Sequence, residues 1–345
     1  AAVGSAFSLM TFLTSILLGL AMGSGTVFSI RFGQKDRQGL KEGILASFVL
    51  LGAVTIVLNI LIFVGLDGII WFLRTPKELK GLMREYLVVI FAGMVGIFLY
   101  NFFASLLRSL GNSLVPLAFL AVSAGLNIVL DLWFVAGLHR GVAGAAEATV
   151  ISQYVSGIGI ALYTWMKFPQ LLRREKGVRL QGFRVREITS FSALTCMQQS
   201  IMNLGILAVQ GLVNSFGTTI MAAFAAAVKI DAFAYLPVQD FGNAFSIFIA
   251  QNFGAGERER IRKGIRAAVC TSLSFGLVLS LCVCLLAEPL MALFIDPAET
   301  AVVAEGVRYL RIEGAFYFLI GGLFLLYGLY RALGGAGMSV VLAVA

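Results

Sequence analysis

The stretch "EGILASFVLLGAVTIVLNILIFVGLDGIIWFL" (residues 42–73) decides the fold class. Its only charged residues are Glu42 and Asp67, and the 24 residues between them carry no charge. About 20 consecutive apolar residues cross the hydrocarbon core of a bilayer as a helix. A strand of a membrane barrel needs only about 10 residues, with alternating polarity. The stretch therefore predicts a membrane-spanning α-helix.

The whole chain has the same character. Of its 345 residues 59% are hydrophobic and 13% charged, and the mean hydropathy is +0.93. An ordinary soluble domain has roughly 45–50% apolar and about 25% charged residues. The composition excludes a soluble globular protein, a disordered chain and a basic nucleic-acid-binding protein. The four cysteines show neither a disulfide framework nor a zinc-ligand spacing, so we expect no resident cofactor.

Apolar runs of similar length recur along the chain and predict an all-α polytopic membrane protein. We identify nine complete spans and a partial one that starts at residue 337. The nine spans are residues 2–30, 42–73, 80–107, 114–137, 141–166, 187–215, 218–250, 263–294 and 301–332.

The basic residues indicate the orientation of these spans. Of the 26 Lys and Arg, 18 lie in alternate connections, namely 31–41, 167–186 and 258–266 together with Arg108 and Arg331. Cytoplasmic loops carry an excess of Lys and Arg, so these connections are expected in the cytoplasm and the protein in the plasma (inner) membrane. The alternative, a basic surface that binds nucleic acid or anionic lipid, does not explain why the charge follows the alternation of the loops.

The chain also contains an internal repeat. A shift of 221 residues aligns "RFGQKDRQGLKEGILA" (31–46) with "NFGAGERERIRKGIRA" (252–267). With two further residues of offset, "RSLGNS" (108–113) aligns with "RALGGA" (331–336). Because the aligned segments lie on the same side of the membrane, we predict a parallel repeat whose axis runs along the membrane normal.

The register of the repeat predicts two six-helix lobes. Residues 1–166 form the N-terminal lobe without its first helix, and residues 187–345 form the C-terminal lobe without most of its last two helices. The basic segment 167–186 is the expected cytoplasmic linker. The repeat thus predicts a parent protein of twelve spans, truncated here at both ends.

Two motifs carry a family resemblance. The turn "RSLGN" (108–112) leads through Pro116 into Asn127 and Asp131 as N-x-x-x-D, and "QNFGAG" (251–256) follows the seventh span. With these motifs the chain resembles the multidrug and toxic compound extrusion (MATE) transporters over essentially its whole length. The resemblance implies two six-helix lobes around a central cavity and the export of drug-like organic molecules, often cationic, in exchange for H⁺ or Na⁺.

Asp131 is the main candidate for the coupling site. A charged group inside a membrane is costly and usually faces a cavity or a partner. Asn127 lies one helical turn before Asp131, on the same face. A carboxylate next to an amide can hold a proton or coordinate Na⁺ through hard oxygens. The residues alone leave the choice between H⁺ and Na⁺ open.

The resemblance adds Asn101 and Thr149 to this site, and Tyr86 as a neighbour that could line the substrate cavity. In similar transporters an Asp of the first helix completes the set, and that helix lies outside this sequence. Ordinary hydrogen bonding between helices is the alternative role for Asn101 and Thr149. Glu147 departs from the apolar or aromatic residue usual at its position, and is either an extra acidic group or one that turns outward.

The predicted C-terminal lobe also contains polar residues inside spans. Gln199, Asp231, Glu313 and Tyr317 are candidates for lining a substrate cavity. Lys229 and Asp231 are two positions apart on one helix and point away from each other, so each needs a partner elsewhere.

The function predicted from these features is a cation-coupled antiporter that works by alternating access. We expect small organic substrates and the lipid bilayer as partners, no nucleic acid, and a monomer. A flippase of lipid-linked oligosaccharides, from the same broader superfamily, is the alternative; it would carry clustered Arg or Lys in its cavity. No His or Cys lies near a carboxylate in a catalytic motif, so no enzyme activity is expected.

Overall fold

A computed structural model describes residues 2–72, 80–172 and 181–344. Within these ranges every regular element is a helix and no strand occurs, which confirms the predicted all-α class. The elements are α1 (Ala2–Gly33), α2 (Arg37–Phe72), α3 (Lys80–Ala92), α4 (Met94–Ser109), α5 (Leu114–Asp131), a π-helix (Leu132–Gly137), α6 (Gly141–Lys167), α7 (Pro169–Leu172), α8 (Gly182–Val213), a 3-10 helix (Asn214–Phe216), α9 (Thr218–Gly254), α10 (Arg258–Ala292), α11 (Thr300–Gly314), α12 (Tyr317–Ala332) and α13 (Ala336–Val344).

Six of the described helical segments are long and apolar enough to cross a bilayer. They are Met10–Gly33, Arg37–Gly68, Met83–Ser109, Leu114–Gly137, Thr218–Gly254 and Arg258–Ala292. A seventh is added if α11 and α12, which meet at an angle of 49°, form one span. Helices α6 and α8 form where spans were predicted but are not among these segments, so the count of nine spans stays a prediction.

The chain divides into two compact units, Ala1–Ser200 and Ile201–Ala345. The division falls inside α8. Of the predicted linker 167–186, residues 173–180 lie outside the described residues, and the predicted lobe boundaries stay a prediction.

The two units use corresponding helix neighbours. In the first, α1 packs against α2 and α4, and α6 covers α3, α4 and α5. In the second, α9 packs against α10 and α12, and α10 packs against α11 and α12. The core of the first unit is built from large apolar side chains, among them Leu17, Phe28, Phe91 and Phe102. The parallel repeat itself stays a prediction.

A span is interrupted in each unit. In the first, Gly93 separates α3 from α4, and the hydroxyl of Tyr154 on α6 donates to the carbonyl oxygen of Ala92 at 2.7 Å. This bond satisfies a backbone acceptor that the break leaves exposed. In the second, the break falls between Gly314 and Tyr317.

A network of charged side chains fastens the loop after α1 to the start of α8. Arg31 pairs with Glu187 at 2.5 Å, and Arg184 pairs with Glu42 at 3.3 Å and with Asp36 at 3.5 Å. The Glu42 side chain is buried, so its charge needs these partners. Part of the basic charge predicted to face the cytoplasm is therefore neutralised inside the first unit.

Candidate functional site

Asp131 is the last residue of α5, and the π-helix begins at the next residue. Its side chain is half-buried, and Oδ1 is buried with no hydrogen-bond partner among the described residues. A buried carboxylate oxygen without a partner costs free energy unless a proton or a cation compensates it. π-Helical turns are frequent at functional sites. The local structure of Asp131 is therefore suited to ion binding.

The structure brings two other predicted coupling residues into contact. Nδ2 of Asn127 on α5 lies 3.4 Å from Oγ1 of Thr149 on α6, within hydrogen-bonding distance. Thr149 donates its own hydroxyl proton to the carbonyl oxygen of Ala145 at 3.0 Å, one turn earlier in α6. The pair links α5 to α6 one turn before Asp131 through the Asn127 nitrogen, and no bond to the Asn127 side-chain oxygen occurs among the described residues.

Tyr86 and Asn101 form no hydrogen bond with Asp131 among the described residues. Tyr86 on α3 is buried, lies within electrostatic range of the Asp131 carboxylate, and donates its hydroxyl to Sδ of Met10 at 3.6 Å. Asn101 donates its side-chain amide to the carbonyl oxygen of Ile97 in its own helix, at 2.9 Å. The Asn101 amide nitrogen is therefore engaged within α4, and the described contacts do not join it to Asp131.

The second unit contains a cluster of acidic and phenolic groups. Tyr317, the first residue of α12, donates its hydroxyl to Oδ1 of Asp231 on α9. Glu313 and Tyr309 on α11 interact electrostatically with the same carboxyl group. Oδ2 of Asp231 and Oε2 of Glu313 are both buried without a hydrogen-bond partner among the described residues. Two neighbouring carboxylates in a low-dielectric site repel each other unless a proton or a cation lies between them.

Lys229 and Gln199 are the other polar candidates. The ammonium group of Lys229 lies 5.7 Å from the centroid of the Phe294 ring, so it contacts an aromatic face. Gln199 is buried and belongs to the first unit, whereas Asp231, Glu313 and Tyr317 belong to the second. The five residues predicted to line a substrate cavity, which include Tyr86 of the first unit, are thus divided between the two units.

Sequence reasoning missed two features of the sites. Tyr309 had a signal, because the repeat register that aligns residues 84–87 with 307–310 places Tyr309 on Tyr86. The second feature is an ion pair between Arg140 and Glu147, with Nη2 and Oε1 2.8 Å apart. Arg140 is the N-cap residue of α6 and Glu147 follows it by seven positions, so the i, i+7 spacing on one helix face was a signal for this contact.

Comparison with known sequences decides the family. A family model described as MatE matches residues 1–133 and 195–345. The chain belongs to the MATE family. It is 30% identical over 334 residues to the probable multidrug resistance protein YpnP of Bacillus subtilis, covering 95% of this chain and 73% of that protein. It is 25% identical to the multidrug export protein MepA of Staphylococcus aureus, covering 99% of this chain and 76% of the relative.

Solved structures show the same fold. An outward-facing multidrug resistance MATE family transporter superposes with a TM-score of 0.93 at 21% identity, covering 99% of this chain and 76% of that one. The Vibrio cholerae MATE transporter VcmN superposes with a TM-score of 0.92 at 24% identity, covering 99% of this chain and 77% of the other. The expected family and fold class are thereby confirmed, and this MATE protein is a multi-pass membrane protein.

Proposed function

We propose that this MATE protein exports drug-like organic molecules, many of them cationic, in exchange for H⁺ or Na⁺. The relatives named as multidrug resistance and multidrug export proteins support the substrate class. Alternating access, in which the substrate site opens to each side of the membrane in turn, is the proposed mode of transport.

The observation that carries the proposed coupling is the buried, unpartnered Oδ1 of Asp131. A carboxylate in this position binds a proton covalently, or Na⁺ with help from the Asn127 oxygen. Ion binding removes an uncompensated charge from the protein interior and so favours the conformation in which the site is occupied. A ligand shifts a conformational equilibrium only by its difference in affinity for the two states. We propose that the occupied state has low affinity for the substrate, which then leaves on the outer side.

The acidic cluster of the second unit is our proposed contact for the positive group of the substrate. Asp231 and Glu313 each present a buried oxygen without a partner in the described residues. A bound organic cation compensates the repulsion between the two carboxylates, and the phenol rings of Tyr309 and Tyr317 offer aromatic surface to it.

The coupling assignment is tested by ethidium transport into everted vesicles that contain the full-length protein. Separate H⁺ and Na⁺ gradients identify the coupling ion. We expect Asp131→Asn to abolish ion-driven uptake, because an amide neither takes up a proton nor supplies a charged ligand. Expression and thermal stability are expected to be retained.

Asp67→Asn is the matched control. Asp67 belongs to the same unit, and both it and its partner Arg84, 3.9 Å away, are exposed. This variant is expected to transport normally. Normal ion-driven uptake by Asp131→Asn would show that the coupling site lies elsewhere.

A further inference from the structure

The turn between the π-helix and α6 has an unusual backbone. His139 and Gly141 both have positive φ angles, of 53° and 58°. The amide of Arg140, which lies between them, donates to the carbonyl oxygen of Phe134 at 2.9 Å. A left-handed residue other than glycine is uncommon, and it persists where surrounding contacts hold it in place.

The side chain of Arg140 supplies such contacts. Its guanidinium group lies over the ring of Phe134, 5.9 Å from the centroid. The same group forms two contacts with the Glu147 carboxylate on α6, with Nη2–Oε1 at 2.8 Å and Nη1 next to Oε2. A two-point pair of this kind fixes orientation better than a single contact does. Arg140 therefore connects the π-helix, through Phe134, to α6, through Glu147.

Phe134 transmits this connection to the end of α5. Its side chain is buried against Leu130 and Ala148, and a Cβ atom added at Gly144 would lie only 3.0 Å from its Cβ. Leu130 directly precedes Asp131, and Phe134 lies three residues after Asp131. The π-helix thus has little freedom to shift against α6 while Arg140 and Glu147 remain paired.

The other side of Asp131 is held by the Asn127–Thr149 contact, which also joins α5 to α6. Glu147 and Thr149 lie on α6 two positions apart and point in different directions. Glu147 holds the segment after Asp131, and Thr149 holds the segment before it. The Asp131 carboxyl group is therefore framed by two links to the same helix.

We propose that Arg140 and Glu147 are positioning residues for the Asp131 coupling site. They touch neither the ion nor the substrate, and they hold the π-helix so that the Asp131 carboxylate keeps its orientation. This inference rests on the proposed function of Asp131. It also gives Glu147, an acidic residue inside a predicted span, a defined role.

The first experiment measures geometry and does not depend on ion coupling. In a full-length background in which the native cysteines are replaced by alanine, Asp131→Cys is labelled with a methanethiosulfonate reagent. We expect Glu147→Gln to change the labelling rate several-fold and Asp67→Asn to leave it unchanged. Arg140→Gln, which removes the other partner of the pair, is expected to change the rate in the same way as Glu147→Gln.

The second experiment measures function with Asp131 intact. Loss of a group that orients an ion ligand typically weakens ion binding by about 10–100-fold, and we expect the low end, about tenfold, because this pair is partly exposed. Glu147→Gln should therefore raise the half-saturating concentration of the driving ion in ethidium transport and leave the maximal rate nearly unchanged. Arg140→Gln should produce the same shift.

The outcomes separate this inference from the function on which it rests. If Asp131→Asn still couples transport while Glu147→Gln alters labelling at position 131, the coupling assignment is wrong and the positioning contact stands. If Glu147→Gln changes neither the labelling rate nor the ion dependence, the positioning role is wrong. An Arg140→Gln variant that behaves like the parent protein also overturns it, because the pair would then not be the cause.

Discussion

At the scale of single residues, the candidate coupling site depends on a few polar groups in an apolar setting. Asp131 was found as a charged residue inside a predicted span, and Asn127 from its position one turn earlier on the same helix face. Thr149 came from the family resemblance, and the structure places it against Asn127. Asn101 came from the same resemblance, but its amide nitrogen is engaged in its own helix. The family pattern thus names residues on neighbouring helices and does not settle which side chains touch.

Thr149 provides a prediction at this scale. Thr149→Val keeps the shape of the side chain and removes the oxygen that lies next to the Asn127 amide. Hydrogen bonds between membrane helices contribute about 0.6 kcal/mol on average, which corresponds to about threefold in an equilibrium constant. We expect thermal stability to change little and the half-saturating concentration of the driving ion to rise about threefold in ethidium transport.

Thr149→Ser serves as the control for that change, because it keeps the hydroxyl group. It should behave like the parent protein. Equal behaviour of the Val and Ser variants would assign Thr149 to packing and remove it from the coupling site.

At the scale of elements, the sequence predicted helices and their approximate ends but none of their irregularities. Apolar runs of 20–30 residues suffice to indicate spans, and α5 with its π-helix covers the whole range predicted for the fourth span. The π-helix and the break at Gly93 depend on which backbone acceptors find partners in neighbouring helices. Two of these contacts involve α6. Tyr154 on α6 donates to the carbonyl oxygen of Ala92, and Arg140, which directly precedes α6, donates its amide to the carbonyl oxygen of Phe134. The periodicity of apolar residues describes one helix at a time, so it does not predict contacts between helices.

The packing of α4 against α6 gives a prediction at this scale. A Cβ atom added at Gly157 would lie 2.5 Å from the carbonyl oxygen of Gly96, closer than any van der Waals contact allows. Gly157→Ala must push the two helices apart, and overpacking of this kind costs about 1–3 kcal/mol. We expect a lower free energy of unfolding in detergent and a lower thermal midpoint.

Gly125→Ala is the comparison, because a Cβ atom at this α5 position meets no heavy atom within 4 Å. It should leave the midpoint unchanged or raise it slightly, since alanine is the better helix former. If Gly157→Ala were as stable as Gly125→Ala, close packing of α4 on α6 would not be required for stability.

At the scale of the whole molecule, the distribution of charge and the internal repeat gave most of the predictions about orientation and lobe organisation. Composition indicated a membrane protein, and the alternating loops indicated its orientation. The predicted repeat also explains why two similar loops, 31–46 and 252–267, occur in one chain. In the first, Arg31 and Asp36 belong to a charge network with Glu187 and Arg184. Such partners are distant in sequence, so the network was not predictable from the loop itself.

The orientation is tested with a membrane-impermeant thiol reagent on intact cells. Arg260 lies in the connection 258–266, which is predicted to face the cytoplasm, and Glu305 lies about one turn into the span 301–332, near its predicted outer end; both residues are exposed. In the background without native cysteines, Glu305→Cys should be labelled from outside, and Arg260→Cys should be labelled only after the cells are opened. Labelling of Arg260→Cys in intact cells would reverse the predicted orientation.

The central claim is that this MATE protein exchanges an organic cation for H⁺ or Na⁺ through Asp131. Its most direct test is the reverse flux in proteoliposomes, in which an ethidium gradient is imposed without any ion gradient and the movement of H⁺ and of Na⁺ is recorded. The account predicts that one of the two ions moves against the direction of ethidium flow, and that Asp131→Asn abolishes this movement. Ethidium flow that moves neither ion, or ion movement that persists in Asp131→Asn, would contradict it.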